Sequence, residues 1–309
     1  MTVKREKRDL QLEWINHCAR TDPRMLVEQE HAQYIGQMEQ VRGYLEGKLR
    51  DRLLIALSGP SSAGKTTSAE WLRGRLQEDG IEAYVVSLDD FYLGRERAPM
   101  LPDGSYDYET VEALNLPLLR QCMYDLMEQG RALLPRFDFQ AGRPAPEKRE
   151  LCLPHNAVVI FEGIHALNPL LTDSLGDEAL TKIFVHTYTP ICNGAEKQLT
   201  RRELRLCRRI LRDARFRNSE IDNTLNMWPQ VIRGEDLYLF PYVDTADIRV
   251  DTTFAFEPCM TAPLILPQLP LIRDLYPQWY ERLALILSPF EAMDPALLPP
   301  DALLHEFLG

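Results

Sequence analysis

Residues 59 to 67 read Gly-Pro-Ser-Ser-Ala-Gly-Lys-Thr-Thr, a fit to the phosphate-binding template G-x-x-x-x-G-K-[ST] placed directly after the apolar run Leu53 to Leu57. Gly59 and Gly64 let the backbone curl so that N–H groups of Ser61, Ser62, Ala63, Gly64 and Lys65 point inward. The helix that begins there adds its positive N-terminal end, which makes a cradle for polyphosphate. In such a cradle Lys65 reaches the β- and γ-phosphates, Thr66 holds magnesium, and Thr67 continues the anion-binding turn. The spacing predicts a nucleoside triphosphate, ATP or GTP, as ligand.

Moving the terminal phosphoryl group requires a metal, an acceptor held in line and positive charge around the group in flight. Asp89 and Asp90 follow the predicted strand 82 to 88, at the end where α/β sheets present ligand-contacting residues. Asp89 is the candidate base for an acceptor hydroxyl or a metal ligand, with Asp90 as the fallback and a helix cap as the plain alternative. Glu162 closes the apolar run Ala157 to Phe161, and a carboxylate there needs a metal or another charge. It is the magnesium candidate beside Thr66, or else the partner of an arginine. His165 reads more simply as a structural histidine. Eight arginines lie between 201 and 217, opposed only by Glu203 and Asp213. Arg205, Arg208, Arg209 and Arg212 follow i, i+3, i+4, i+7 and share one helix face. That face predicts a lid that closes over the triphosphate, or alternatively a solvated helix surface.

Short β-rich runs at 52–58, 82–88, 157–161, 182–187 and 246–251 alternate with helical stretches, which predicts a mainly parallel five-stranded sheet covered by helices. Residues 28 to 50 carry Ile35, Met38, Val41, Tyr44, Leu45 and Leu49 at helical spacing. The division expected is a helical extension over 1–50, a phosphate-binding domain over 51–257 and a helical extension over 258–309. Proline-rich punctuation at 94–108 and 135–156 reads as long functional connections, and the prolines after 258 as an irregular stretch before a terminal helix.

With 309 residues and 45% hydrophobic content the chain can build a sizeable core. Its net charge of −11 argues against nucleic acid as a partner. The opening residues are charged, no run approaches the ~18 apolar residues of a membrane span, and the six cysteines form no C-x-x-C pair. A reduced, cytoplasmic protein with no membrane partner is expected, with a homo-oligomer allowed by the unassigned ends.

Four stretches in order, namely Gly59 to Thr67, Ser87-Leu88-Asp89-Asp90-Phe91-Tyr92, Phe161-Glu162-Gly163-Ile164-His165-Ala166-Leu167-Asn168-Pro169 and Arg208-Arg209-Ile210-Leu211-Arg212-Asp213, resemble the uridine kinase and phosphoribulokinase family of P-loop kinases over about residues 50 to 255. The resemblance implies transfer of the γ-phosphate to the 5′-hydroxyl of a nucleoside with Asp89 as base. It also implies Asp107 on the ribose hydroxyls, Tyr92 and Phe137 beside the nucleobase, and Arg205, Arg208 and Arg212 in the lid. Uridine kinases of this family carry a histidine just after the Tyr-Asp-Phe segment, where Phe137 to Arg143 offers glycine. Gln140 or Arg143 is then left to read the base, or the acceptor is a sugar or a vitamin. A regulatory ATPase is the reading from another class.

Overall fold

The computed structural model describes residues 8–49, 52–101, 104–173, 175 and 180–309; the charged opening residues 1–7 and Pro102 fall outside them. Five apolar runs become the strands β1 (Arg52–Ser58), β2 (Ala83–Ser87), β3 (Ala157–Glu162), β4 (Leu180–His186) and β5 (Ile248–Asp251). They lie in the order β5-β4-β1-β3-β2 with every pairing parallel. A parallel sheet covered on both faces needs strands apolar throughout. In β1 Leu53, Ile55 and Leu57 enter one core, while Leu54 and Ala56 enter the other. Parallel order also brings the C-terminal tips of all five strands to one edge, so Ser58, Ser87, Glu162 and His186 end there together.

The helices are α1 (Leu12–Thr21), α2 (Pro23–Glu46), α3 (Lys65–Glu78), α4 (Leu116–Glu128), α5 (Arg201–Phe216), α6 (Ile221–Gly234), α7 (Glu257–Ile265) and α8 (Pro277–Leu287). The periodic stretch that begins at 28 is α2, and it starts five residues earlier because Asp22 caps it by accepting from the Met25 N–H with Pro23 in the first turn. Met38, Val41 and Leu45 are buried, as their spacing requires. Leu26 and Met38 near the start of the chain, and Leu303 and Phe307 near its end, share one core with β1.

Two expectations are corrected. Residues 135–156 are not open connection throughout but contain short antiparallel pairings: Arg131–Leu134 pairs with Arg149–Cys152, and Phe137–Asp138 with Arg143–Pro144. The prolines sit at ribbon ends or edges, where no ladder hydrogen bond is lost. The segment after 257 is helical from its first residue, since Pro258 occupies the first turn of α7, where a missing N–H costs nothing. Nor is α8 the last helix, because His305–Leu308 forms a further turn. All six cysteines are free. No helix among the described residues is long and apolar enough to cross a membrane.

Helix α5 is started by a capping box in which Thr200 and Glu203 satisfy each other's backbone N–H groups. It carries Arg205 and Arg208 into the interior, both with 0% exposure. Arg205 forms a forked pair with Glu235 at 2.5 and 2.7 Å. Arg208 forms one with Glu257 at 2.7 and 2.6 Å. A buried charge left without its partner is costly, so Glu257→Ala lowers stability by about 3–5 kcal/mol. Arg42→Ala, which breaks solvent-side pairs with Glu39, Glu46 and Asp79, costs far less, because exposed ion pairs are screened by water. Urea unfolding of the two variants measures the difference.

Candidate active site

The loop between β1 and α3 owes its shape to two glycines. A Cβ on Gly59 would sit 2.1 Å from the Val185 carbonyl oxygen, and Gly64 has a φ of +85°. Between them Ser62 holds a left-handed φ of 58°, a strained conformation that persists only where the surroundings fix it. The surroundings do so through the loop's carbonyls. Pro60 O accepts from Lys65 Nζ at 3.1 Å, Ser61 O from Arg205 at 2.9 Å and Ser62 O from Arg208 at 3.3 Å. Ala63 O accepts from the Thr252 hydroxyl at 2.8 Å, and Gly64 O from the Ser68 hydroxyl at 2.8 Å, itself bonded to Tyr34 Oη. The Ala63 N–H closes the turn onto the Pro60 carbonyl at 3.2 Å, and the other amide groups of the loop and the first turn of α3 are left to face a ligand.

This geometry corrects the lid reading for Arg205 and Arg208. The shared arginine face exists, but it lies against the loop, and these two guanidinium groups are locked by carboxylates and loop carbonyls. They are braces and have no freedom to close over a phosphate. Arg209 bridges the two settings: 7% exposed, it donates to Ser61 Oγ at 2.9 Å and pairs with Asp213 at 3.3 Å. Arg212 also pairs with Asp213, at 2.8 Å, and acts electrostatically on both Lys65 and Asp89. Arg217, which the sequence did not single out, pairs with Asp213 at 3.6 Å and is 57% exposed. It too acts on Asp89. The cations of this segment that are gathered on Asp213 rather than locked onto the loop carbonyls are therefore Arg209, Arg212 and Arg217.

Lys65 is the centre of an acidic cluster. Burial lowers its pKa, and the charges that oppose this are, in order, Glu162, Asp89 and Glu306. Glu162 is 6% exposed and accepts from Ser87 Oγ at 2.8 Å. Burial raises its pKa, with Lys65 the main charge holding it down. Asp89 stands in a short turn after β2. The protein around it pushes its pKa upward and Lys65, Arg217 and Arg212 pull it down, but its side chain is exposed to the cleft, and water there limits that upward push. Thr66 is exposed at the start of α3. A hydroxyl at the helix start and the carboxylate of Glu162 beside Lys65 are hard oxygen donors of the kind magnesium accepts. No group of three His, Cys, Asp or Glu among the described residues forms a metal cage. Magnesium bound with phosphates and waters needs only one or two protein ligands, so Thr66 and Glu162 fit it.

On the acceptor side Asp90 takes a different role from Asp89, because its Oδ1 accepts from the Phe137 N–H at 3.1 Å and ties the ribbon 137–144 to the cleft. Phe137 lies edge-on to Tyr92 at 5.9 Å and to Phe139 at 5.1 Å. Arg143 is exposed on the paired strand. Asp107 is 6% exposed; its Oδ2 accepts from Tyr238 at 3.1 Å and Arg233 at 3.3 Å, and its Oδ1 from the Glu109 N–H. His165 is 2% exposed, and burial lowers its pKa to about 4, only partly opposed by the Glu109 backbone. A neutral imidazole results. Glu109 went unnoticed in the sequence, where nothing marks it off from other surface glutamates. Burial raises its pKa to about 7, with Arg209 opposing and Glu235, Asp107 and Asp89 reinforcing the shift. A cavity of about 810 Å³ lined by His186, Tyr188, Lys197, Arg201, Arg202 and Phe240 lies beyond α5's first turn. It contains no residue of the loop or of the acidic cluster, so the chemistry is not placed there.

The sequence model of the family described as "Phosphoribulokinase / Uridine kinase family" matches residues 54–255. The chain is 27% identical over 197 residues to a uridine kinase of Saccharomyces cerevisiae, 63% of this chain but 36% of that protein. It is 29% identical over 180 residues to a uridine kinase of Mycoplasma genitalium, 58% of this chain and 75% of that one. The chain thus spans little more than a third of the yeast relative's length. A structure described as a possible uridine kinase from Bacillus stearothermophilus aligns with a TM-score of 0.49 and 17% identity, covering 71% of this chain and all of that one.

Glu109 gives a pH test. Its folded pKa of about 7 lies above the ordinary 4.5, so the native state keeps a proton that the unfolded chain releases. The associated stability is fully present below pH 4.5 and is lost as pH rises through 7. Glu109→Gln, always neutral, therefore gains melting temperature relative to the parent across that window, with no relative change below it. Thermal unfolding from pH 4 to pH 8 measures this.

Proposed function

Because the chain belongs to the phosphoribulokinase/uridine kinase family, we propose that it transfers the γ-phosphoryl group of ATP to a hydroxyl of a small metabolite, the 5′-hydroxyl of a nucleoside in the best-supported form. The observation that carries this reading is the position of Lys65, whose two strongest charge partners are Glu162 and Asp89. Glu162 ends β3 and Asp89 lies in the turn that follows β2, the neighbouring parallel strand, so both stand at the same sheet edge. The triphosphate lies on the loop's amide groups with Lys65 at its β- and γ-phosphates. Thr66 and Glu162 would hold magnesium, which when bound would supply positive charge to the phosphate oxygens. Asp89 accepts the proton of the attacking hydroxyl as the new O–P bond forms and the bond from γ-phosphorus to the bridging oxygen breaks. Arg209, Arg212 and Arg217 supply positive charge for the phosphoryl group in flight, and the displaced electron pair leaves with ADP.

The acceptor side supports a nucleoside over a sugar phosphate. Asp89, Asp107 and Glu109 gather there, and a second phosphate on the acceptor would meet these carboxyl groups. Tyr92, Phe137 and Phe139 provide a run of aromatic rings suited to a base, and the ribbon borders a cavity of about 380 Å³ that includes Phe137, Phe139 and Gln140. One observation favours a second reading. Asp107, assigned to ribose hydroxyls by family resemblance, already accepts from Arg233 and Tyr238, so a non-nucleoside polyol that bypasses Asp107 is the alternative.

Incubation with γ-labelled ATP and separate panels of nucleosides, sugars and vitamins decides between them. Label on a nucleoside supports the first reading, label on a sugar or vitamin alone replaces it with the second, and release of free phosphate at one rate with every acceptor removes both. Asp89→Asn lowers the transfer rate by ~100-fold or more, the scale of a lost general base, and Lys65→Ala abolishes transfer while its circular dichroism stays that of the parent. Turnover near normal in Asp89→Asn would take the base role from Asp89.

A further inference from the structure

The last residues of the chain fold back onto the phosphate loop. Leu303, Leu304, Phe307 and Leu308 are buried in the same core as β1. Leu303 lies so close above Gly64 that a Cβ there would be 2.6 Å from one of its methyls. The Phe307 ring lies 5.0 Å from the Arg208 guanidinium centre, a cation–π contact on the far side of the brace. The His305 ring is held between the Pro299 carbonyl at 2.9 Å and the Gly309 carbonyl at 3.2 Å. These anchors deliver one carboxylate to the first turn of α3: Thr67 Oγ1 donates to Glu306 Oε2 at 2.6 Å. The same carboxylate is among the charges acting on Lys65 and on Glu162.

A phosphate cradle is a site for anions, made from amide groups, a helix N-terminus and an ammonium. A carboxylate bonded to the helix's first turn is stabilised by the same features, so Glu306 does part of the work of a phosphate before any nucleotide is present. Its backbone cannot withdraw without exposing four buried apolar side chains. We propose that Glu306 is an internal rival of the donor nucleotide, a residue that sets nucleotide affinity by competing with the phosphates for Thr67 and for the field of Lys65. Nucleotide entry turns the Thr67 hydroxyl from Glu306 toward phosphate and leaves a carboxylate near it, which weakens binding and hastens release of the spent nucleotide. The inference rests on the donor-site reading above and is independent of which acceptor is used.

Isothermal titration with MgATP and MgADP tests it on the parent chain, on Glu306→Gln, on Glu306→Asp and on Lys65→Ala, with thermal unfolding as the check that each is folded. Glu306→Gln, which keeps the shape and removes the charge, binds both nucleotides about tenfold more tightly, a conservative share of what one charge at close range exerts near a protein surface. Glu306→Asp, which keeps the charge, remains near the parent value. Under turnover, the KM for ATP in Glu306→Gln falls by a larger factor than kcat changes. Equal or weaker binding by Glu306→Gln, or equal gains in both variants, overturns the inference while the parent's binding keeps the donor site intact. Failure of the parent itself to bind either nucleotide, or binding undiminished in Lys65→Ala, overturns the donor-site reading and this inference with it.

Discussion

The orientation of five consecutive peptide groups controls the rest of the molecule's chemistry. The carbonyls of Ser61 to Gly64 accept hydrogen bonds from Arg205, Arg208, Thr252 and Ser68, while that of Pro60 accepts from Lys65 and from the Ala63 N–H, which closes the turn. A peptide group whose oxygen is held inward points its N–H outward, and the amides of a helix's first turn have no intrahelical partner. The result is a concave surface of donors fixed before any ligand arrives, which is where electrostatic catalysis gains most, since nothing must reorganise during the reaction. The strained φ of Ser62 is the visible cost of that arrangement.

Two buried ion pairs hold the arrangement in place. Removing Arg205 and Arg208 from water is expensive, and the pairs with Glu235 and Glu257 largely offset that cost without adding stability in proportion. Their value lies in position: each guanidinium also donates to a loop carbonyl, so the partner carboxylates on distant segments help determine where the loop sits. Helix α5 thus has two functions along one face. Its first half is structural, and its second half, Arg209 and Arg212 together with Arg217 just beyond, is gathered by Asp213 at the edge of the cleft.

Local features of the site were legible in the sequence because their causes are local. Gly64 is required by its own positive φ, whereas the need for Gly59 comes from the distant Val185 carbonyl and was read only through the motif; the strand tips were marked by apolar runs that lead into Asp89 and Glu162, and the α2 face followed from spacing alone. The partners of the arginines were not legible. Glu235 and Glu257 lie 30 and 49 residues from the groups they neutralise, and spacing on α5 shows that the arginines share a face without showing what covers it. Glu306 lies 239 residues from Thr67, and Glu109 acquires its shifted pKa only from neighbours that the fold assembles. The ribbon over 131–152 was hidden for another reason, since its prolines lie at ends and edges while proline in a sequence reads first as a break.

The central claim is that the loop, Lys65, Glu162 and Asp89 form one site in which a terminal phosphorus stands between the lysine and the aspartate. A crystal structure with an unreactive ATP analogue, magnesium and a nucleoside is the most direct measurement. The account predicts the γ-phosphorus beside Lys65 Nζ and an acceptor hydroxyl in line with it, within roughly 2.6–3.2 Å of an Asp89 oxygen. Phosphates bound away from the loop, or an acceptor hydroxyl that Asp89 cannot reach, would contradict it.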